Sequence, residues 1–234
     1  MGTITMKIYG NIICQNGVHE ILRAIESIYP VVEKIFVLDG GSTDGTWEVL
    51  KRYRRAFNLE LFQRPFDRMD TQRNVLLEQT PKDAWVITVD QDERINVVCQ
   101  FQIKQFISRI YKDIYTDKKR VSPIVIGMPF YNLIMDPLHH SEYPVRMNSN
   151  KVFYNDKNLK FYGEYHANVA YDPTDPHYQQ FPAPYDWAVL HYAFLDEKRV
   201  MDAFKDIDSG RRQYVKAEWI IDNKPVYKLP EDIL

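Results

Sequence analysis

The feature that most constrains this chain is a repeated alternation in its first hundred residues. Short apolar, β-branched runs are followed by stretches with apolar residues at helical spacing, and each run stops at a polar, glycine-bearing cluster. Residues 7–14 (KIYGNIIC) read as a buried strand that ends at Gln15, Asn16 and Gly17. Residues 19–29 place Ile21, Leu22, Ile25 and Ile28 on one helical face, stopped by Pro30. A second strand follows at 34–38, then the glycine-rich turn DGGSTDGT, whose Ser42, Thr43 or Asp44 can cap a helix running to about Phe57. The same reading gives a strand at 59–63, a helix at 70–79 and a strand over 85–90. Strands alternating with helices imply right-handed crossovers and a mostly parallel sheet covered on both faces. Ligands of such sheets bind beyond the carboxyl ends of the strands. QNG, DGGSTDGT and DQDE each lie at such an end, so they are expected to meet in one pocket.

Past Asn96 the alternation fades. A helix over 98–115 and a continuous strand over 124–134 are expected, with further strand candidates in LKFYGEYHANVAY and WAVLHYAF. Between them, DPTDPHYQQFPAPYD carries four prolines, which rules out a central strand, and a mobile cover over the pocket is expected. A helical tail over 196–221 completes the reading. The chain is expected to form a single domain, with one half at 1–96, a second at 97–195 and a helical extension at 196–234.

The 234 residues carry a net charge of only −2, with Lys and Arg scattered, so no nucleic-acid footprint is expected. Cys14 and Cys99 sit in apolar runs without metal-ligand spacing, which suits a reducing, cytoplasmic setting. The N-terminus lacks the pattern of a leader, Met6 stands where a myristoylation signal has Ser or Thr, and no integral membrane segment is expected.

Asp90 and Asp92 stand two apart at the end of an apolar strand, where alternation would turn both carboxylates to one face. Paired carboxylates suit a hard cation, Mg²⁺ or Mn²⁺, completed by substrate phosphates. A solvated acidic turn is the plainer reading of an isolated D-x-D; the preceding buried strand favours the cation. Asp39 also ends a strand, and Gly40 and Gly41 beside it let backbone approach a ligand. No Gly-Lys-Ser/Thr and no GxGxxG follows, which disfavours a P-loop or a dehydrogenase.

ICQNG, IFVLDGGSTDGTWEVL, TQRN and DAWVITVDQDE, in that order and spacing, resemble the family 2 glycosyltransferases, closely over about residues 7–96 and more weakly through GEYHANV and VLHYAF. The resemblance implies a GT-A α/β fold: a mostly parallel, Rossmann-like central sheet flanked by helices, with a mixed C-terminal part, residues 1–96 being the nucleotide-sugar-binding half and 97–195 the acceptor and catalytic half. It implies that Asp39 holds the nucleoside, that Asp90 contacts ribose or metal, and that Asp92 binds the cation bridging the donor diphosphate. Asn16, Gly41, Arg73 and Gln91 are then expected near the donor. Gly17 departs from the family pattern, in which an acidic residue commonly follows the Asn. His166 resembles the histidine of a GxxHE-like segment, with Ala167 in place of the glutamate. His191 is a second possible metal or phosphate contact, and His139 and His140 read as an exposed loop. Glu164 is the leading candidate for general base, with Asp136, Glu142 and Asp186 as rivals; Tyr178, Phe181 and Tyr185 are candidates for stacking on sugars.

The expected function is metal-dependent, inverting transfer of a sugar from a nucleotide-diphosphate sugar, UDP favoured, to a glycan or other hydroxyl acceptor. The alternatives are an inactive carbohydrate-binding GT-A domain and a sugar nucleotidyltransferase. The latter would want a cationic glycine-rich loop after the first strand, which QNGVHE does not offer.

Overall fold

The computed structural model describes residues 6–115, 123–134, 139–141, 149–156, 159–163, 168–172, 174, 178–194 and 226–228. Its first half follows the sequence reading: β1 Ile8–Cys14, α1 Ile21–Ile28 with a 3₁₀ turn at Tyr29–Val31, β2 Lys34–Asp39, α2 Thr46–Tyr53, β3 Leu59–Gln63, α3 Met69–Gln79 and β4 Ala84–Asp90. Then come β5 Glu93–Ile95, α4 Val97–Tyr115, β6 Ile124–Met128, β7 Phe130–Ile134, β8 His139–Ser141, β9 Ser149–Asn155, β10 Lys160–Tyr162, β11 Asn168–Ala170, β12 Gln179–Pro182, β13 Val189–Phe194 and β14 Val226–Lys228.

The main sheet has the order β12-β6-β9-β4-β1-β2-β3. Strands β3, β2, β1 and β4 run parallel, and β9 joins β4 to β6 antiparallel to both. Residues from both expected halves therefore contribute to one sheet. Alternation along each strand supplies two apolar faces. Ile8, Ile12, Ile35, Val37, Ile87 and Ile126 pack with Ile25 of α1 and Ile103 and Ile107 of α4. Tyr9, Ile13, Phe36 and Leu38 turn the other way, toward Leu76 of α3, while Val86, Val125 and Phe153 meet Leu77, Phe161 and Val169.

A second sheet, β14-β8-β7-β13-β5, starts where β4 ends, so residues 91 and 92 form the turn between the two sheets. Five expectations are corrected here. His139 and His140, expected in a loop, lie on β8, paired with β14 and β7. The run over 124–134 is two strands, broken at Pro129, because β6 stays in the main sheet while β7 pairs with β13 in the second. Residues 179–182 of the proline-rich stretch form β12, an edge strand hydrogen-bonded to β6, where Pro182 has no inner ladder to break. The 159–171 segment folds back as the antiparallel pair β10-β11 instead of running on as one strand. α2 also stops at Tyr53, short of Phe57. The tail at 196–221 lies outside the described residues. Among the described residues, no helix is long and apolar enough to cross a membrane.

Candidate active site

Three loops meet at the carboxyl edge of β1, β2 and β4, and their polar residues bind one another. Asn16, in the left-handed region at φ +52°, accepts from Thr43 N through Oδ1 at 2.8 Å, and its own N–H donates to Ser42 Oγ at 2.8 Å. Gly17 N donates to Thr46 Oγ1, and Asp44 accepts from Val18 N and Thr46 N, so Asp44 ties two loops together as well as starting α2. Gly41, at φ +87°, occupies a conformation that side chains resist.

Asp39 is fully buried at the end of β2. Its carboxylate accepts from Ser42 N at 3.1 Å, from the Ser42 hydroxyl and from Gln63 Nε2 at 2.7 Å. These bonds shape the glycine-rich turn from inside, with Gln63 closing the outer side.

The D-x-D carboxylates do not share one strand face, because β4 ends at Asp90 and a turn follows. Asp90 takes the Arg73 guanidinium, with Nη2 at 2.8 and 2.9 Å from its two oxygens. Arg73 is itself buried on α3, stacked 5.8 Å over the Phe161 ring. Arg73, expected near the donor, makes an ion pair that orients Asp90. Burial pushes the Asp90 carboxyl up, but the charges of Arg73 and Lys151 outweigh it and hold it well below the usual carboxylate range. Gln91 turns back toward β1: its amide accepts from Gln15 N at 2.7 Å and donates to Gln15 O at 3.1 Å, binding the turn to the end of that strand.

Asp92 points elsewhere, with Oδ2 3.7 Å from His191 Nε2. His191 stands on β13 between two registered partners, Glu93 on β5 and Asn132 on β7. Its Nδ1 lies 2.7 Å from Asn132 Oδ1. A carboxamide oxygen only accepts, so Nδ1 carries the proton and Nε2 faces Asp92. Burial disfavours the charged ring, yet the hydrogen bond and charge of Asp92, with the charge of Glu93, raise its pKa. Asp92 is correspondingly lowered: burial and Asp90 oppose its charge, and His191 overcomes both.

The pair fits a divalent cation in donor chemistry: one carboxylate oxygen and one imidazole nitrogen, the latter oriented by a hydrogen bond on its far side as metal-binding histidines are. Among the described residues, no three His, Cys, Asp or Glu side chains close on a single point. Diphosphate oxygens and water would complete such a shell, the usual arrangement for Mg²⁺.

Glu164, His166, Asp136 and Glu142 lie outside the described residues. What precedes the first two is anchored: Asn74 makes reciprocal bonds with the Phe161 backbone at 2.8 and 2.9 Å, and Gly163 N–H bonds the Asp70 carboxylate. Asp186 is half-buried in the loop before β13, where its carbonyl accepts from Asn96. Tyr185 beside it is 83% exposed, Tyr178 is exposed and Phe181 half-buried. Three contributors escaped the sequence reading: Asn74, Asn132 and Lys151. Asn74 directly follows Arg73 in TQRN, a usable signal; the other two lie in strands whose pairing is non-local.

Residues 11–123 match the family model for glycosyl transferase family 2. Over that stretch, just under half of the chain, the sequence is similar to glycosyl transferase family 2. The sheet order, with its parallel β3-β2-β1-β4 and the reversed β9, is a GT-A-like α/β fold. No curated protein matches the chain in sequence. Among solved structures, the domain is similar to S. aureus TarS, at 21% identity over 64% of this chain and 28% of that chain, with a TM-score of 0.46. A shorter TarS form crystallised with UDP-GlcNAc matches at 21% identity over 64% of this chain and 45% of that one, also with a TM-score of 0.46. The chain thus spans less than half the length of either relative.

Proposed function

We propose that this protein transfers a sugar, with inversion, from a nucleotide-diphosphate sugar to a glycan or other hydroxyl acceptor, using Mn²⁺ or Mg²⁺. The observation that carries the reading is the Asp92 and His191 pair at the sheet edge where three polar loops converge. Asp92 and His191 would hold the cation, which when bound supplies Lewis-acid stabilisation of the departing nucleoside diphosphate. Asn132 orients the imidazole, and Arg73 orients Asp90 beside it. The loops carrying Asn16, Asp39 and Gly41 would shape the nucleoside site, with UDP favoured by the family. Deprotonation of the acceptor hydroxyl is assigned to Glu164, in the segment joining β10 to β11, with Asp186 as its rival among the described residues.

The test is a thermal-shift panel of UDP-, GDP-, CMP- and dTDP-sugars, each with and without Mn²⁺, since a ligand of the native state raises apparent stability. Metal-dependent stabilisation by one nucleotide class is expected, and its loss in Asp92→Asn with the melting temperature of the free protein little changed. A shift by no nucleotide, or an Asp92→Asn variant with full Mn²⁺-dependent transfer, would falsify the reading.

A further inference from the structure

Lys151 lies on β9, 58 residues beyond Glu93, and only sheet pairing brings it to the D-x-D turn. Its Nζ sits 2.8 Å from Glu93 Oε1 and 2.6 Å from Glu93 Oε2, with Asp90 Oδ2 at 3.7 Å. The lysine side chain is 13% exposed and that of Glu93 only 4%. Glu93 Oε2 also accepts the Asp90 backbone N–H at 2.9 Å. Together with Arg73, Lys151 balances two cations against two carboxylates, and Asp92 is the one acid of the turn outside this cluster, on the His191 side. The Phe130 ring lies beside both groups, 6.0 Å from the lysine nitrogen and 5.3 Å from the centre of the His191 ring.

A free buried glutamate beside a cation site would compete for the metal or repel its neighbours. With Lys151 on both oxygens, Glu93 instead serves as the acceptor that closes the turn at Asp90 N. We propose that Lys151 is a positioning residue: by neutralising Glu93 it holds the turn over residues 90–93 so that Asp92 faces His191 and the divalent cation. This rests on the metal-dependent reading above.

The experiment is a double-mutant cycle of Glu93→Gln and Lys151→Met, with Mn²⁺ affinity measured calorimetrically in the presence of UDP and melting temperature followed separately. Lys151→Met is expected to weaken Mn²⁺ binding about tenfold, the low end of what loss of an outer-shell partner costs. The double variant is expected to recover most of that loss, because the neutral amide introduced by Glu93→Gln still accepts from Asp90 N and Glu93 no longer leaves a buried charge unpaired. Should Lys151→Met not fold, the double variant carries the test: folded with near-native Mn²⁺ affinity is the expected result. The proposal is overturned if Lys151→Met lowers the melting temperature yet leaves Mn²⁺ affinity intact. A folded double variant that has lost Mn²⁺ also overturns it, and would make the lysine a direct ligand of the diphosphate. Asp92→Asn is the control: wild type binding Mn²⁺ and Asp92→Asn losing it upholds the metal reading whatever Lys151 does, and absence of binding in wild type overturns both.

Discussion

At Gly17, space rather than backbone conformation excludes a side chain. A Cβ there would fall 2.5 Å from Gln91 Oε1 and 2.6 Å from its Cδ, and Gln91 cannot swing aside without breaking both bonds to the Gln15 backbone. The departure from the family's acidic residue thus has a partner: the middle residue of D-x-D fills the volume an acidic side chain would need. Gly17→Ala is expected to cost about 1 kcal/mol, since exposed hydrogen bonds contribute little each. That corresponds to a fall of roughly 2–4 °C in melting temperature for a chain of this size. In a Gln91→Ala background the same substitution should cost nothing further, and additive losses would show that the two positions are independent. Asp39 carries a related lesson: a carboxylate legible as a ligand group also accepts from Ser42 and Gln63, because a buried charge requires such partners.

Helix α3 is the element on which the site is mounted. Asp70, Arg73 and Asn74 share one helical face by their three- and four-residue spacing and reach, in turn, Gly163, Asp90 and Phe161. The TQRN motif is therefore read most directly as the support of the D-x-D turn and of the β10-β11 pair. Asp70, in the first turn of α3, takes an Arg68 fork at 2.9 and 3.1 Å and the Thr71 N–H. Burial pushes its pKa up, and these donors pull it below the ordinary value. A depressed folded pKa contributes stability above the unfolded value, near 3.9, that is lost as pH falls through the folded one. Asp70→Asn is accordingly expected to melt about 2–4 °C below wild type at pH 7, for about 1 kcal/mol of helix-terminal charge and ion pairing. The gap should narrow as the pH is lowered below the unfolded value and close below the folded one. A gap that stays the same across this range would show that the carboxylate's charge is not what Asp70 contributes.

Across the whole molecule, β9 is the strand that makes one sheet out of the two expected halves, and Phe153 is its fully buried anchor between Val86 and Val125. Phe153→Ala is expected to cost about 3–5 kcal/mol. Calorimetry should still show one transition; two separate transitions would mean that the strands beyond β4 unfold by themselves. Much of the molecule was legible in the order of residues alone. The parallel β-α repeat and the strand ends that meet, with Asp39, Asp90 and Asp92 at them, follow from local patterns: apolar period, helix stops and glycine-rich turns; the likeness to family 2 and the interest in His191 rest on motifs. Burial periodicity is a property of neighbouring residues, so a sequence displays it directly. Tertiary structure decided what those residues touch. It split the 124–134 run between two sheets at Pro129, made an edge strand of 179–182, and gave Asp90 to Arg73, Gln91 to Gln15 and Glu93 to Lys151. Each of these outcomes depends on pairing between strands or loops distant in the chain, where register alone sets which charges become neighbours and no local pattern records the partner.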